Sequence, residues 1–533
     1  MTGAANKLRG GYYTPREIAR FICEWAISDN TVSVLEPSCG DGVFIEAATK
    51  RLEYLGATSP ANQITGIELY GEEAKKAADK GGKVVCGDFF TLCQGGLGKK
   101  RFDVIVGNPP FIRYQDFDEK SRSAAFAIMR DYGFSPNKLT NIWLPFLVIC
   151  CHMLSEEGKL GMVIPAELFQ VKYAAEARSF LPKQFEVVNV ITFTELLFDG
   201  VQQEVVLLLL ERTSRSKKRG IRVIEAENAT SLSSLTSSNI NAIPAKRILP
   251  ESMKWQAYYL DDSALALVDE VKDNSGIFAA SDLFDVNVGV VSGQNSFFVI
   301  NQETAASNGI ADSCVPIISR SFQLDGLTLT DKDFDRRLRM QNNILLFLPE
   351  GELNDNEYAY VRYGETKGYS KNYKCRIRTP WYRVPTSWMP DAFFFRQVGS
   401  YPRIVLNEKA AHATDTLHKI RFLEGVDGKA LAVAFNNSYT FLMSELMGRS
   451  YGGGVLTFEP SEARNLPIPF KGDLELDFER ADTLVRQDRI EDLVDYVDDA
   501  LLGEKLGMSR VDIARLNSSW KTLRDRRLTR KMR

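Results

Sequence analysis

The first 210 residues predict an α/β fold built on a doubly wound, mostly parallel sheet, and the rest predicts a C-terminal mixed, β-rich domain. Three observations carry this reading. Short apolar segments alternate with helical patterns from Val32 to Leu210, the rhythm of parallel strands joined by crossover helices. The rhythm stops at Arg212, where a Ser/Thr/Asn/Lys-rich run continues to about Arg247 and reads as an inter-domain connection. From Trp255 to Phe470 aromatic residues, Gly and Pro become frequent and no βα rhythm remains. At 533 residues, 44% hydrophobic and 25% charged, the chain has the composition of a globular protein and room for two or three domains. The expected division is 1–245, 246–470 and a helical tail, 471–533.

Taken in order, Thr14-Pro15-Arg16-Glu17 spells a capping box with Pro at the first helical position. The helix it opens carries Ile18, Phe21, Ile22 and Trp25 on one face. Strands are expected at Val32–Leu35, Ile64–Glu68, Val84–Cys86, Phe102–Val106, Leu160–Ile164, Val187–Thr192 and Val205–Leu210. The uncharged stretch Ile142–Met153 is too short to span a bilayer, and the N-terminus lacks the apolar core of a signal peptide. No membrane partner and a cytoplasmic location are therefore expected. Eight Cys without a CxxC pair and only three His predict neither a disulfide framework nor a metal site.

The net charge of −3 conceals opposed segments. Val361 to Ala410 holds ten Lys or Arg against three acids, with ten Tyr, Trp or Phe interleaved. Such a stretch suits a polyanion, although a solvated basic face is the plainer alternative. In the tail, Lys471–Glu504 is net −8 and Lys505–Arg533 net +8. These two pieces are expected to be helical and to pair with each other, with Val494, Val497, Leu501 and Leu502 forming an apolar stripe.

Four strand ends carry the chemistry. After the first strand comes Glu36-Pro37-Ser38-Cys39-Gly40-Asp41-Gly42, a small-residue turn at the edge where open α/β sheets bind ligands. It is neither GxGxxG nor a Walker loop, so the ligand need not carry a phosphate. Glu68 ends the second strand, where a carboxylate can accept ribose hydroxyls. Asp88 follows the third, where it can accept an exocyclic amine while Phe89 covers a ring. Singly, each acid is more simply a helix cap. The fourth strand ends in Asn108-Pro109-Pro110-Phe111. Residues before Pro are kept out of the α region, so Asn108 sits in a rigid extended turn. There its side-chain oxygen and the Pro109 carbonyl can accept hydrogen bonds from one planar NH2 group, with Phe111 stacking on the ring that bears it.

In this order, Tyr12-Tyr13-Thr14-Pro15, LEPSCGDGVF, the ribose acid, GDF, NPPF and a long C-terminal region resemble the class I S-adenosylmethionine-dependent methyltransferases, and within them the gamma-class (TaqI-type) N6-adenine DNA methyltransferases. The similarity covers roughly residues 10–211, including Asn141–Phe146, Val163–Ala166 and Phe198–Val205. Gly289–Phe298, Pro380–Pro385 and Tyr451–Val455 look like this family's target-recognition domains. NPPF departs from the commoner NPPY by one phenolic hydroxyl.

The resemblance implies S-adenosyl-L-methionine as cofactor, held by Thr14, Glu36, Pro37, Gly40, Glu68, Asp88 and Phe89. It implies catalysis by Asn108, Pro109, Pro110 and Phe111 on a flipped-out adenine stacked by Phe111 and Phe198, with no metal. Double-stranded DNA is the implied partner, with Arg362, Lys371, Lys374, Arg376, Arg378 and Arg383 for its phosphates. The implied role is the modification enzyme of a restriction-modification system, and a separate cognate restriction endonuclease acting on the same site is a compatible partner. The Asn-Pro-Pro-aromatic turn also serves N-methyltransferases that act on ribosomal RNA or on a protein glutamine, which stay open as alternatives. A catalytically silent DNA-binding subunit is a third reading, disfavoured by the intact acids and Asn108.

Overall fold

All seven strands expected in the first 210 residues are present, and they join an eighth in one sheet. A computed structural model describes residues 14–195, 197, 204–212, 219–251, 253–386, 388–451 and 454–529. They divide between Asp262 and Ser263 into two units. The strands of the first unit are β1 (Val34–Glu36), β2 (Ile64–Glu68), β3 (Lys83–Cys86), β4 (Phe102–Gly107), β5 (Leu154–Pro165), β6 (Val187–Phe193), β7 (Val205–Glu211) and β8 (Gly220–Ala226). Their order is β3-β2-β1-β4-β5-β7-β6-β8. All neighbours are parallel except β7, which runs antiparallel to both β5 and β6. The chain leaves β1 toward β2 and β3, then returns to place β4 on β1's other side, so the strand order reverses between β1 and β4. Open α/β sheets bind ligands outside the carboxyl ends of strands at such a reversal.

The helices that matter here are α1 (Arg16–Ala26), α2 (Val43–Tyr54), α3 (Gly71–Ala78), α4 (Phe89–Gln94), α5 (Glu119–Asp131) and α6 (Trp143–Met153). In α1 the periodic residues Ile18, Phe21, Ile22 and Trp25 are buried in the core with Val34, Phe44 and Val104. Helix α6 is apolar all round, and every residue but His152 is buried, as expected of a core helix. Among the described residues no helix is long and apolar enough to cross a membrane.

Two expectations are corrected. The helix after Thr14 begins at Arg16 with Pro15 at its cap position, and no side chain caps it. The Thr14–Glu17 capping box does not form, because the Pro15 carbonyl already accepts from Ile18 and Ala19 and the start moves one residue on. The run expected as a plain connection carries β8, paired in parallel along β6 from Gly220 to Ala226. Being an edge strand interrupted by Arg222 and Glu225, it offered only a weak period-two signal between polar runs.

The second unit is β-rich and mixed, as expected. One five-stranded sheet orders Phe284–Val288, Leu417–Phe422, Ala392–Phe395, Ile404–Asn407 and Thr328–Leu329, with the last pair alone parallel. A four-stranded sheet contains Val299–Ile300, Leu345–Phe347, Cys314–Ile318 and His412–Ala413. The tail is helical, and Val494, Val497, Leu501 and Leu502 are all fully buried. Its opposed charges do meet: Lys521 lies 3.0 Å from Glu491 and Lys505 2.7 Å from Asp473. The long last helix, Arg510–Thr529, also buries Arg527 against Glu445 at 2.6 Å.

Candidate active site

The carboxyl edge of the first sheet collects Glu36 at the end of β1, Glu68 at the end of β2, Asp88 just past β3 and Asn108 just past β4. Tight backbone turns make room there. Gly40 and Gly42 have φ of +52° and +88°, conformations that favour glycine, and a Cβ on Gly42 would lie 2.7 Å from Ala77 Cα of α3. Gly107 lets Pro37 approach, since its Cβ would sit 3.4 Å from Pro37 Cδ. Thus the β1 turn and the end of β4 lie side by side.

Two of the predicted acids, Glu68 and Asp88, are tied to backbone amides of the protein. Glu68 is 8% exposed; its Oε2 accepts the Gly40 N–H at 2.8 Å and its Oε1 the Tyr70 N–H at 2.9 Å. It therefore ties the β1 turn to the end of β2 while each oxygen keeps a second lone pair. Asp88 caps α4 with one oxygen, Oδ1, which accepts from the Thr91 N–H at 2.8 Å and the Thr91 hydroxyl at 2.7 Å, leaving Oδ2 outside the cap. Glu36 is buried, and its Oε2, like the Ser38 hydroxyl, has no hydrogen-bond partner among the described residues. Burial pushes the Glu36 carboxyl well above the usual carboxylate range, and the neighbouring Glu68 raises it further. Buried acceptors of this kind are costly unless a donor reaches them. A cationic amine ligand supplies one, so the residues fit the amino-acid end of S-adenosylmethionine.

Phe89 is placed differently from the ring-covering role expected of it. It is 3% exposed and stacks on Phe146 of α6 at 4.9 Å, with Phe90 edge-on at 5.5 Å. Its ring belongs to the core, and the group it brings to the edge is its N–H in the first turn of α4, which lacks an intrahelical acceptor. Beside Glu68, Leu69 is an exposed apolar residue. Asn108 is half-buried and its Nδ2 donates to Thr14 Oγ1 at 3.1 Å. Pro109 is buried, while Pro110 and Phe111 are half-buried, the latter packed against the core. Phe198, Tyr12 and Tyr13 lie outside the described residues.

In the second unit, Arg362, Lys371, Lys374 and Arg376 are exposed on or beside the helix Asp355–Thr366. Arg378 is committed inward: its guanidinium donates to the Ser292 carbonyl at 2.6 Å and to Val291, and Arg383 donates to the Gly351 carbonyl. The aromatic interleaving also divides. Tyr363 and Tyr373 are exposed, whereas Phe393, Phe394 and Phe395 form a buried strand. Gly293 packs on Lys374, and Asn372 Nδ2 donates to Gln294 Oε1 at 2.7 Å. The Ser292–Asn295 loop is thus clamped beside a cavity of about 370 Å3 lined by Lys374, Arg378 and Lys419 among others.

The sheet order with one antiparallel strand and acids at successive strand ends define a class I methyltransferase fold. Family comparison agrees: the N-6 DNA Methylase family matches residues 1–276, and the C-terminal domain of Type II methyltransferase M.Eco57I matches residues 252–502. The chain belongs to the N-6 DNA Methylase family; it is an adenine-specific DNA methyltransferase that uses S-adenosylmethionine. Type II methyltransferase M.AccI of Acinetobacter calcoaceticus is 22% identical over 467 residues, 85% of this chain and 83% of that protein. M.HincII of Haemophilus influenzae is 27% identical over 244 residues, covering 45% of this chain and 44% of its own. The type IIL restriction-modification enzyme MmeI in complex with DNA shares the fold with a TM-score of 0.56 at 11% identity, over 96% of this chain and 75% of that one.

Proposed function

We propose that the chain is a gamma-class (TaqI-type) enzyme, the cytoplasmic modification methyltransferase of a restriction-modification system, and that the strand-end residues carry methyl transfer to adenine N6. The observation that carries this is the position of Asn108: a rigid Asn-Pro-Pro turn at the strand-order reversal, on the same edge as Glu36, Glu68 and Asp88. The names of the curated relatives, Type II methyltransferases M.AccI and M.XamI, support the restriction-modification role. The division of labour follows residues 1–245 for transfer, 246–470 for target recognition and 471–533 as tail.

When bound, S-adenosylmethionine supplies an electrophilic methyl group. Glu36 and Ser38 hold its ammonium, Thr14 its carboxylate, Glu68 its ribose through the remaining lone pairs, and Asp88 Oδ2 with the Phe89 N–H its adenine. Pro37 and Gly40 shape the turn. The amine of a target adenine is a weak nucleophile because its lone pair is delocalised into the ring. Asn108 Oδ1 and the Pro109 carbonyl accept hydrogen bonds from its two N–H groups, localise that lone pair and orient it, an electrostatic preorganisation, and the methylated nitrogen then gives up one of its protons to water. Pro110 holds the turn rigid, and Phe111 with Phe198 stacks the flipped base. Arg362, Lys371, Lys374 and Arg376 contact phosphates of double-stranded DNA. The family match favours DNA over ribosomal RNA or protein glutamine as substrate.

Replacing Asn108 by Ala is expected to lower single-turnover methylation of duplex DNA by roughly 100-fold or more, the usual cost of deleting one such preorganised group, with cofactor affinity kept. Undiminished transfer by this variant removes the assignment.

A further inference from the structure

Thr14 has the sequence of a helix cap yet caps nothing. The helix after it starts at Arg16 with no side-chain cap, and Thr14 is 7% exposed with its hydroxyl 3.1 Å from Asn108 Nδ2. The contact joins residues 94 positions apart, so no local backbone motif calls for it. It bears on a question that the reaction poses directly. The two ends of an Asn amide are nearly equal in size and opposite in function: Oδ1 accepts, Nδ2 donates. Only the orientation with Oδ1 toward the target amine helps; a flipped amide would set Nδ2 donors against N–H donors.

We propose that Thr14 is the positioning residue that fixes this orientation, an inference that rests on the reading of Asn108 as acceptor of the target amine. The Thr14 oxygen takes the Nδ2 proton, which turns Oδ1 to the other side of the planar amide. A hydroxyl both accepts and donates. Its single proton, if given to a carboxylate such as that of the cofactor's methionine end, leaves only lone pairs facing Asn108, and these can meet Nδ2 but not Oδ1. One hydroxyl thereby links the ligand edge beside α1 to the amide at the end of β4. A merely cofactor-binding Thr14 would act on affinity alone, whereas a positioning Thr14 acts on the rate at saturation.

The test compares Thr14→Val, Thr14→Ser and Asn108→Ala in the full chain with three readouts. These are calorimetric affinity for S-adenosylmethionine, fluorescence of a duplex carrying 2-aminopurine at the target without cofactor, and single-turnover methylation at saturating cofactor. Thr14→Val replaces the hydroxyl by a methyl group of similar size, and thermal unfolding checks that the fold is kept. It should lower the saturated rate by roughly 10- to 100-fold, the scale of a misoriented reacting group, beyond any loss of affinity. Base capture should be kept, because 2-aminopurine has no amine at the six position for Oδ1 to meet. Thr14→Ser, which restores the hydroxyl, should recover most of the rate. If Thr14→Val lowers affinity but keeps the saturated rate while Asn108→Ala is inactive, the positioning role is wrong and the reading of Asn108 stands. If Asn108→Ala is itself active, the reading beneath it has failed.

Discussion

Glu68→Gln should weaken S-adenosylmethionine far more than the loss of a ribose contact would. The carboxylate accepts the Gly40 amide at one oxygen and the Tyr70 amide at the other, at 2.8 and 2.9 Å. A glutamine amide has one oxygen, so one of the two N–H groups would face an NH2 donor whichever way the side chain turns. Losing one charge-assisted bond and leaving a part-buried donor unmet costs about 2–4 kcal/mol. The binding-competent turn is depopulated by that amount, and apparent affinity falls with it, roughly 30- to 1,000-fold at 1.4 kcal/mol per decade. Isothermal calorimetry measures this directly, with thermal unfolding as the control for global damage. Asp88→Asn is the matched comparison, because its remaining oxygen can keep the Thr91 cap and only the outward group changes sign. An affinity for Glu68→Gln within about threefold of wild type, a difference under 1 kcal/mol, would refute the tether.

Three further outcomes are expected. Because burial and Glu68 hold the Glu36 carboxyl well above its usual range, a cationic ligand should drive its proton off; calorimetry in buffers of different ionisation enthalpy should show proton release on cofactor binding, abolished in Glu36→Gln. Asp498, buried beneath Ser438, has its carboxyl raised from 3.8 to about 7 by burial. The folded state therefore favours the protonated form, so this contribution is complete below pH 3.8 and is lost as pH rises through about 7, on the order of 4 kcal/mol. Asp498→Asn should flatten the decline in Tm between pH 5 and 8, and an unchanged slope would sink that account. Among the cations, Lys371→Ala and Arg376→Ala should each reduce the salt slope of DNA binding by about one with Tm kept, whereas Arg378→Ala should lower Tm by freeing the Val291–Ser292 carbonyls.

The backbone of the catalytic unit was legible because its determinants are local. β2 is bounded at Ile64 and Glu68 as its apolar run predicts, and the α1 stripe is buried as its period requires. What was missed depends on distant partners or on weak edges. β8 hides between polar runs because Arg222 and Glu225 interrupt its apolar residues, and Phe89 reads as a pocket residue until Phe146, 57 positions away, stacks on it. Arg378 looks like its basic neighbours in sequence, and only the carbonyls of a loop 86 residues upstream separate it from them.

Legibility of the site itself has a physical limit of the same kind. Strand-end acids point to a ligand edge, but oxygen atoms carry two lone pairs, and the protein uses some of them: Glu68 holds Gly40, Asp88 holds Thr91, and Thr14 accepts from Asn108. Glu68, Asp88 and Thr14 are therefore struts as well as proposed contacts to the ligand. Truncation to Ala removes the strut and the ligand contact together, so a lost activity would not say which one mattered. Isosteric changes separate them. Glu68→Gln breaks the strut whichever way it turns, Asp88→Asn can keep it, and Thr14→Val removes a hydroxyl whose two sides face different partners. Each of these three pulls affinity and saturated rate in its own proportion, and those proportions are what distinguish a ligand-holding edge from one that is merely well braced.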